Sequence, residues 1–234
     1  MFWDWTYVTI LLPCVILSLW ASGNVNSTFR KYSQQYSSRR LTGAEAAQRV
    51  LSANGVTGVR IERVAGKLTD HYDPRTNVIR LSEDVYDNVS TAAIGVACHE
   101  AGHAVQYAVG YAPIKLRSAV IPATNLGSKL AMPLILLGLL MSGLGRFSQD
   151  IVYIGIACFG LSVLFQFVTL PVEFDASRRA LKAIQDGQLL TQDEYTGARK
   201  TLTAAALTYV AATAVSLAQL LRLLILFGGR RDDD

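Results

Sequence analysis

The apolar residues of this chain fall into long uncharged runs, with amphipathic stretches between them. Residues 5–28, 151–172 and 201–221 contain no Asp, Glu, Lys or Arg. Each run reaches the roughly 18 apolar residues that a membrane-spanning helix needs. A fourth uncharged run, 130–145, is shorter, but the segment before it is also mostly apolar and could extend the helix back past Lys129. The pattern predicts four spans, at 5–22, 128–145, 151–172 and 205–228. Residues 24–128 form the larger aqueous or interfacial segment, and 173–204 join the last two spans. The expected fold is a mainly α membrane protein in which 1–234 form a single integral membrane domain.

The polar segments carry shorter periodicities. Thr42-Gly43-Ala44-Glu45 reads as a capping box that opens a helix over 44–53, ended by Gly55. Residues 59–64 alternate apolar and charged positions, as a half-buried strand does. Residues 68–72 and 78–81 flank the turn Asp73-Pro74-Arg75-Thr76-Asn77 and predict a β-hairpin. Ser90 or Asn88 is placed to cap a helix over 91–109, rich in small apolar residues. Thr191-Gln192-Asp193-Glu194 is a second capping box, opening a long helix that runs into the last span.

Charge adds an orientation. Only 17% of residues are charged, against about a quarter in a typical soluble protein. Arg30, Lys31, Arg39 and Arg40 follow the first span, and Arg178, Arg179, Lys182, Arg199 and Lys200 lie between the third and fourth. The connection between the second and third spans holds only Arg146. The positive-inside rule then places both basic segments in the cytoplasm and both termini outside. Arg230 and Arg231 oppose this, offset by Asp232 to Asp234, and Arg222 must snorkel or face the protein interior. The first span lacks a basic n-region and has aromatic residues at both ends, Trp3, Trp5 and Tyr7 against Trp20, so it reads as a retained anchor, kinked at Pro13. The net charge of +4 follows from the juxtamembrane basic residues and suits a lipid bilayer as partner. Nothing calls for nucleic acid. Cys14, Cys98 and Cys158 suggest no disulfide framework.

The candidate chemistry lies in the helix over 91–109. Ala97-Cys98-His99-Glu100-Ala101-Gly102-His103-Ala104 holds an H-E-x-x-H motif and two of the three histidines. On a helix His99 and His103 share a face one turn apart, so both can ligate a single metal, most plausibly zinc, one per chain. Glu100 points to the adjacent sector, where it can act as general base on a metal-bound water. Gln106 shares the histidine face and is a candidate to support the ligands or simply to pack. A catalytic zinc site wants a third protein ligand and an open position. His71 is the remaining histidine, but Glu173, in Leu170-Pro171-Val172-Glu173, is the better candidate. Two spans intervene, so Glu173 returns to the side of the membrane that holds the motif. The bland alternative is a carboxylate at the start of a new helix near Pro171.

Three segments together resemble the YugP-type bacterial membrane zinc metallopeptidases, a putative neutral zinc metallopeptidase family. They are His99-Glu100-Ala101-Gly102-His103-Ala104-Val105-Gln106, the upstream Asp70-His71-Tyr72-Asp73-Pro74 with Arg80-Leu81-Ser82, and the downstream Thr169-Leu170-Pro171-Val172-Glu173-Phe174-Asp175-Ala176-Ser177. The likeness covers nearly the whole chain. The broader pattern is similar to HtpX-type and CAAX prenyl proteases, in which a glutamate after two further spans is the third ligand and an aspartate four residues on supports a ligand histidine. Here Ser177 stands at that position and Asp175 two residues earlier, so both are candidates for the supporting role. The resemblance implies a gluzincin-like metallopeptidase with a zincin-like catalytic helix beside a small sheet. It also implies a bacterial inner-membrane location and peptide substrates in or at the membrane. Val78, Ile79, Arg80 and Leu81, preceding the motif helix, are candidates to pair with an extended substrate as an edge strand. Tyr107, Tyr111 and Tyr209 could help hold an oxyanion, although packing explains each. Two alternatives remain: a site-two-type intramembrane protease with the motif inside a longer apolar span, and a non-catalytic zinc-stabilised membrane scaffold.

Overall fold

The computed structural model describes residues 4–228; Trp3 and the charged tail with Arg230 and Arg231 lie outside them. The protein is a mainly α membrane protein. Four of its helices are long and apolar enough to cross a bilayer. Helix α1 (Leu12–Tyr32) is followed by α2 (Gly43–Ala53), β1 (Arg60–Val64), β2 (His71–Asp73), β3 (Val78–Ser82), the single turn α3 (Glu83–Tyr86) and α4 (Thr91–Ala108). Three long helices complete the chain: α5 (Ala112–Leu140), α6 (Arg146–Asp186) and α7 (Gln192–Gly228). Two compact units are formed, each from segments distant in sequence.

One unit comprises residues up to 20, 116–170 and 209 onward. It has the inverted surface of a protein solvated by lipid. Leu126, Leu136, Leu140, Ile154 and Leu164 are exposed, as are Trp5 and Trp20. A small cluster of Ile135, Val152, Ile156 and Leu223 is buried. Here α5 and α6 approach closely. A Cβ on Gly127 would stand 2.8 Å from the Cys158 carbonyl oxygen, and one on Gly155 2.9 Å from that of Ala131. Small residues that admit a neighbouring backbone are how membrane helices gain packing contacts where lipid removes the hydrophobic drive. A π-helical turn at Tyr7–Leu11 leads into Pro13, whose missing N–H interrupts the helical ladder. Arg222 faces protein partners. It pairs with Asp4 at 2.9 Å and lies over the Tyr7 ring.

The other unit, 21–115 and 171–208, contains the motif. Its sequence signals form as expected. Thr42 and Glu45 exchange both capping-box bonds, Thr191 and Glu194 do the same, and Ser90 caps α4 through the Ala93 N–H. The hairpin turns at Asp73–Asn77, with Asn77 at φ 54°, a left-handed conformation that asparagine tolerates. The sheet order, however, is β1-β3-β2, with β1 parallel and β2 antiparallel to β3. The expectation that residues 78–81 form an edge strand is therefore corrected. β3 is paired on both sides, and Val78, Ile79 and Leu81 are fully buried. The outer edges belong to β1 and β2.

Helix α4 is the centre of this unit. Small side chains allow neighbours on nearly every face: Ala93, Ala97, Ala101 and Ala104 are buried with Ile94, Cys98 and Val105 against α2, β3 and the 180–202 region. Each fully buried Ile or Val contributes roughly 1.5–3 kcal/mol. Burial also drives the Cys98 thiol pKa far up, which makes it an inert packing group. Helix α4 is not among the four membrane-length helices. It ends at Ala108, and Gly110 (φ 67°) breaks the path before α5 begins.

Candidate metal centre

Helices α4 and α6 build the site. Helix α6 runs unbroken from Arg146 to Asp186 through Pro171, so Glu173 is not at the start of a new helix and no helix dipole accounts for its position. Gly102 is what lets the two helices meet. A Cβ there would lie 2.7 Å from the Ala176 carbonyl oxygen. With that approach, the i, i+4 pair His99 and His103 faces the i, i+4 pair Glu173 and Ser177.

His99 Nε2 lies 3.3 Å and His103 Nε2 3.5 Å from the same oxygen, Glu173 Oε2. The imidazoles meet edge to face, with centroids 4.7 Å apart. One ligand atom from each of the three residues falls within 4.8 Å of the others. Zinc bound tetrahedrally with ligand distances of about 2.0–2.1 Å separates its ligand atoms by about 3.3–3.5 Å. The two spacings from the imidazoles to Glu173 match that geometry, and the whole set lies within 4.8 Å. Three buried or nearly buried polar groups converging without a cation would be costly, and a metal resolves that cost.

The far side of each imidazole is also engaged. His99 Nδ1 is hydrogen-bonded to Ser177 Oγ at 3.1 Å, and His103 Nδ1 to Gln106 Oε1 at 3.0 Å. Gln106 Nε2 donates to the Val172 carbonyl at 2.8 Å and to Asp175 Oδ2 at 2.9 Å. Both amide hydrogens of Gln106 are thus used, so its oxygen accepts from His103 Nδ1–H, and the lone pair of that ring sits on Nε2. Asp175 is held in turn by Arg179 at 2.6 Å and by Arg178, and Arg179 stacks on Tyr111. The three supporting candidates therefore divide the work: Ser177 meets His99, Gln106 meets His103, and Asp175 reaches the site only through Gln106. Burial works against a charged His103, but Glu173, the nearby Glu100 charge and Gln106 outweigh it and raise its pKa above the usual histidine value.

Glu100 is buried within the same turn of α4. A second carboxylate that sequence reasoning gave no role stands near it. Asp70 accepts from the Ser82 N–H at 2.7 Å and from Ser82 Oγ at 3.1 Å, tying the approach to β2 to the end of β3. Burial raises its pKa, although the Ser82 bonds lower it, and the charge of Glu100 adds to the rise. Asp70 and Ser82 both stand in the upstream motif, which was the available signal. His71 is not brought to the centre; it is exposed, with Nδ1 bonded to the Thr69 carbonyl. Tyr107 packs on Tyr72 with ring centroids 5.5 Å apart.

Comparison with known proteins agrees with this chemistry. The family model described as "Putative neutral zinc metallopeptidase" matches residues 7–228. The "Putative membrane protease YugP" of Bacillus subtilis (strain 168) is 44% identical over 228 residues, which are 97% of this chain and 99% of that protein. No solved structure matches the chain significantly.

Proposed function

We propose that this chain, which belongs to the neutral zinc metallopeptidase family, is a membrane endopeptidase in which His99, His103 and Glu173 hold the zinc and Glu100 moves the proton. Zinc is the cofactor of the family, and the donor set fits it. One observation carries the reading: two imidazole Nε2 atoms and one carboxylate oxygen converge from α4 and α6, while both Nδ1 atoms are held from behind. When bound, zinc supplies the Lewis acidity that activates water and polarises a peptide carbonyl. Glu100 takes the proton from the attacking water and returns it to the leaving amine. Ser177 and Gln106 fix the ring orientations, and Asp175 fixes Gln106.

The substrate class is peptide in or at the membrane. An extended segment would add to the outer edge of β2, whose Tyr72 packs on Tyr107 of α4. The basic residues around Lys31 and Arg178 to Lys200 support a cytoplasmic site on the inner membrane.

The test compares wild type with Glu100→Gln in detergent, measuring bound zinc and hydrolysis of an unfolded membrane protein. Hydrolysis should fall by about 10²–10⁴-fold with zinc content unchanged. Equal hydrolysis by the two proteins overturns the reading.

A further inference from the structure

Away from the metal centre, α1 and α7 enclose a groove of about 560 Å³. Its walls carry three cations, Lys31, Arg199 and Lys200, and no acidic residue. Beside it α7 packs closely: a Cβ on Gly197 would stand 2.5 Å from Thr91 Oγ1, 2.6 Å from Gln35 Oε1 and 2.8 Å from the Tyr32 ring. All three cations are exposed, and among the described residues none is within ion-pair distance of a carboxylate. Lys31 instead leans over the Tyr32 ring, its Nζ 5.5 Å from the centroid.

A second groove, between α6 and α7, shares Tyr195 and Arg199 and also contains Arg178 and Lys182. There the balance differs, because Arg178 pairs with Asp175, a carboxylate it shares with Arg179, and Lys182 pairs with Asp186. Positive charge therefore has no paired carboxylate in the first groove and is partly offset in the second.

The first groove is also graded along its length. Toward Leu207 its α7 wall becomes Thr203, Ala204 and Leu207, while its cationic end is polar. Both helices belong to membrane-length apolar segments. A ligand matched to these walls is an amphiphile with a negative head and an apolar stem. We infer that the groove between α1 and α7 binds the phosphodiester headgroup of an anionic membrane lipid, held by Lys31, Arg199 and Lys200. General attraction of basic segments to an anionic leaflet needs only charge. This site requires those three cations in particular, because they share one cavity without counterions. The inference does not depend on the zinc chemistry.

The test uses the full chain in detergent, with phosphatidylglycerol or phosphatidylcholine added and bound lipid counted by native mass spectrometry. Phosphatidylglycerol should be retained in preference to phosphatidylcholine. The variant Lys31→Gln/Arg199→Gln/Lys200→Gln should weaken that retention by roughly tenfold to a hundredfold, from the usual gain per basic residue near anionic lipid. Removing the same charge elsewhere, by Arg39→Gln/Arg40→Gln/Arg49→Gln, should leave it unchanged, and the charge-preserving Lys31→Arg/Arg199→Lys/Lys200→Arg should bind as wild type. Unchanged zinc content and melting temperature establish that each variant is folded, and Arg199→Gln alone, losing several-fold, replaces the triple if it is not. Equal losses in the two charge-removing triples would reduce the site to diffuse attraction and overturn the proposal. Lack of headgroup preference, or displacement of the lipid by an equal concentration of soluble glycerol phosphate, would also overturn it.

Discussion

Helices α4 and α5 are neighbours in sequence and both are strongly apolar, yet they meet different surroundings. Ile94, Ala97, Cys98, Ala101 and Val105 of α4 are buried by protein, and α5 presents Leu116, Leu126, Leu136, Leu137 and Leu140 outward. Size separates the two more than hydrophobicity does. The alanines and glycines of α4 let other backbones come within contact and leave room for His99, Glu100 and His103 to be enclosed with partners. The leucines of α5 fill space on their own and suit a solvent of lipid tails. An apolar run therefore says that water is excluded, and its residue sizes indicate whether protein or lipid excludes it.

The comparison can be broken by truncating one large residue in each helix. Ile94→Ala should cost about 2–5 kcal/mol, because it opens a cavity in a fully packed region. Leu137→Ala, at a lipid-facing position with 45% exposure, should change stability by well under about 1 kcal/mol. Reversible unfolding in detergent measures both, and comparable costs would show that α5 is packed like α4. A smaller effect separates packing from chemistry within α4. Gln106→Ala should weaken zinc binding by about 10–100-fold, because it frees the His103 ring; competition with a chelator reads this directly. Unchanged affinity would make Gln106 a packing residue only.

The smallest effect lies in the hairpin. Bonds from Thr76 and Arg75, with Arg80 beside them, hold the Asp73 pKa at about 2, below its ordinary 3.8. A depressed folded value means that the ionised form stabilises the turn above the unfolded pKa and that this contribution is lost as pH falls through the folded one. Hydrogen exchange over residues 71–82 should show wild type better protected than Asp73→Asn at pH above about 4, with the difference vanishing by about pH 2. A constant difference across that window would remove Asp73 from the account.

The sequence made much of this legible because the signals were local or periodic. The spans follow from uncharged runs, α4 and α7 from their caps, and the paired histidines from helical spacing. Glu173 could be singled out because two intervening spans would return the chain to the side that holds the motif. What could not be read depends on close approach between distant segments. The relay from His103 through Gln106 to Asp175 joins residues 69 apart, and it exists only because Gly102 admits the Ala176 backbone. The central position of β3 depends on β1 pairing parallel to it, which alternation alone cannot specify. Pro171 suggested a helix start, yet α6 continues through it, since packing can outweigh the loss of one helical hydrogen bond.

The central claim is that α4 and α6 together make the metal site, with Glu173 completing it. Metal analysis of purified Glu173→Ala beside wild type tests this most directly. The account predicts about one zinc per wild-type chain and a large loss of zinc from the variant, with the helical content of the two proteins equal. An unchanged zinc content in the folded variant would remove Glu173 from the ligand set and contradict the account.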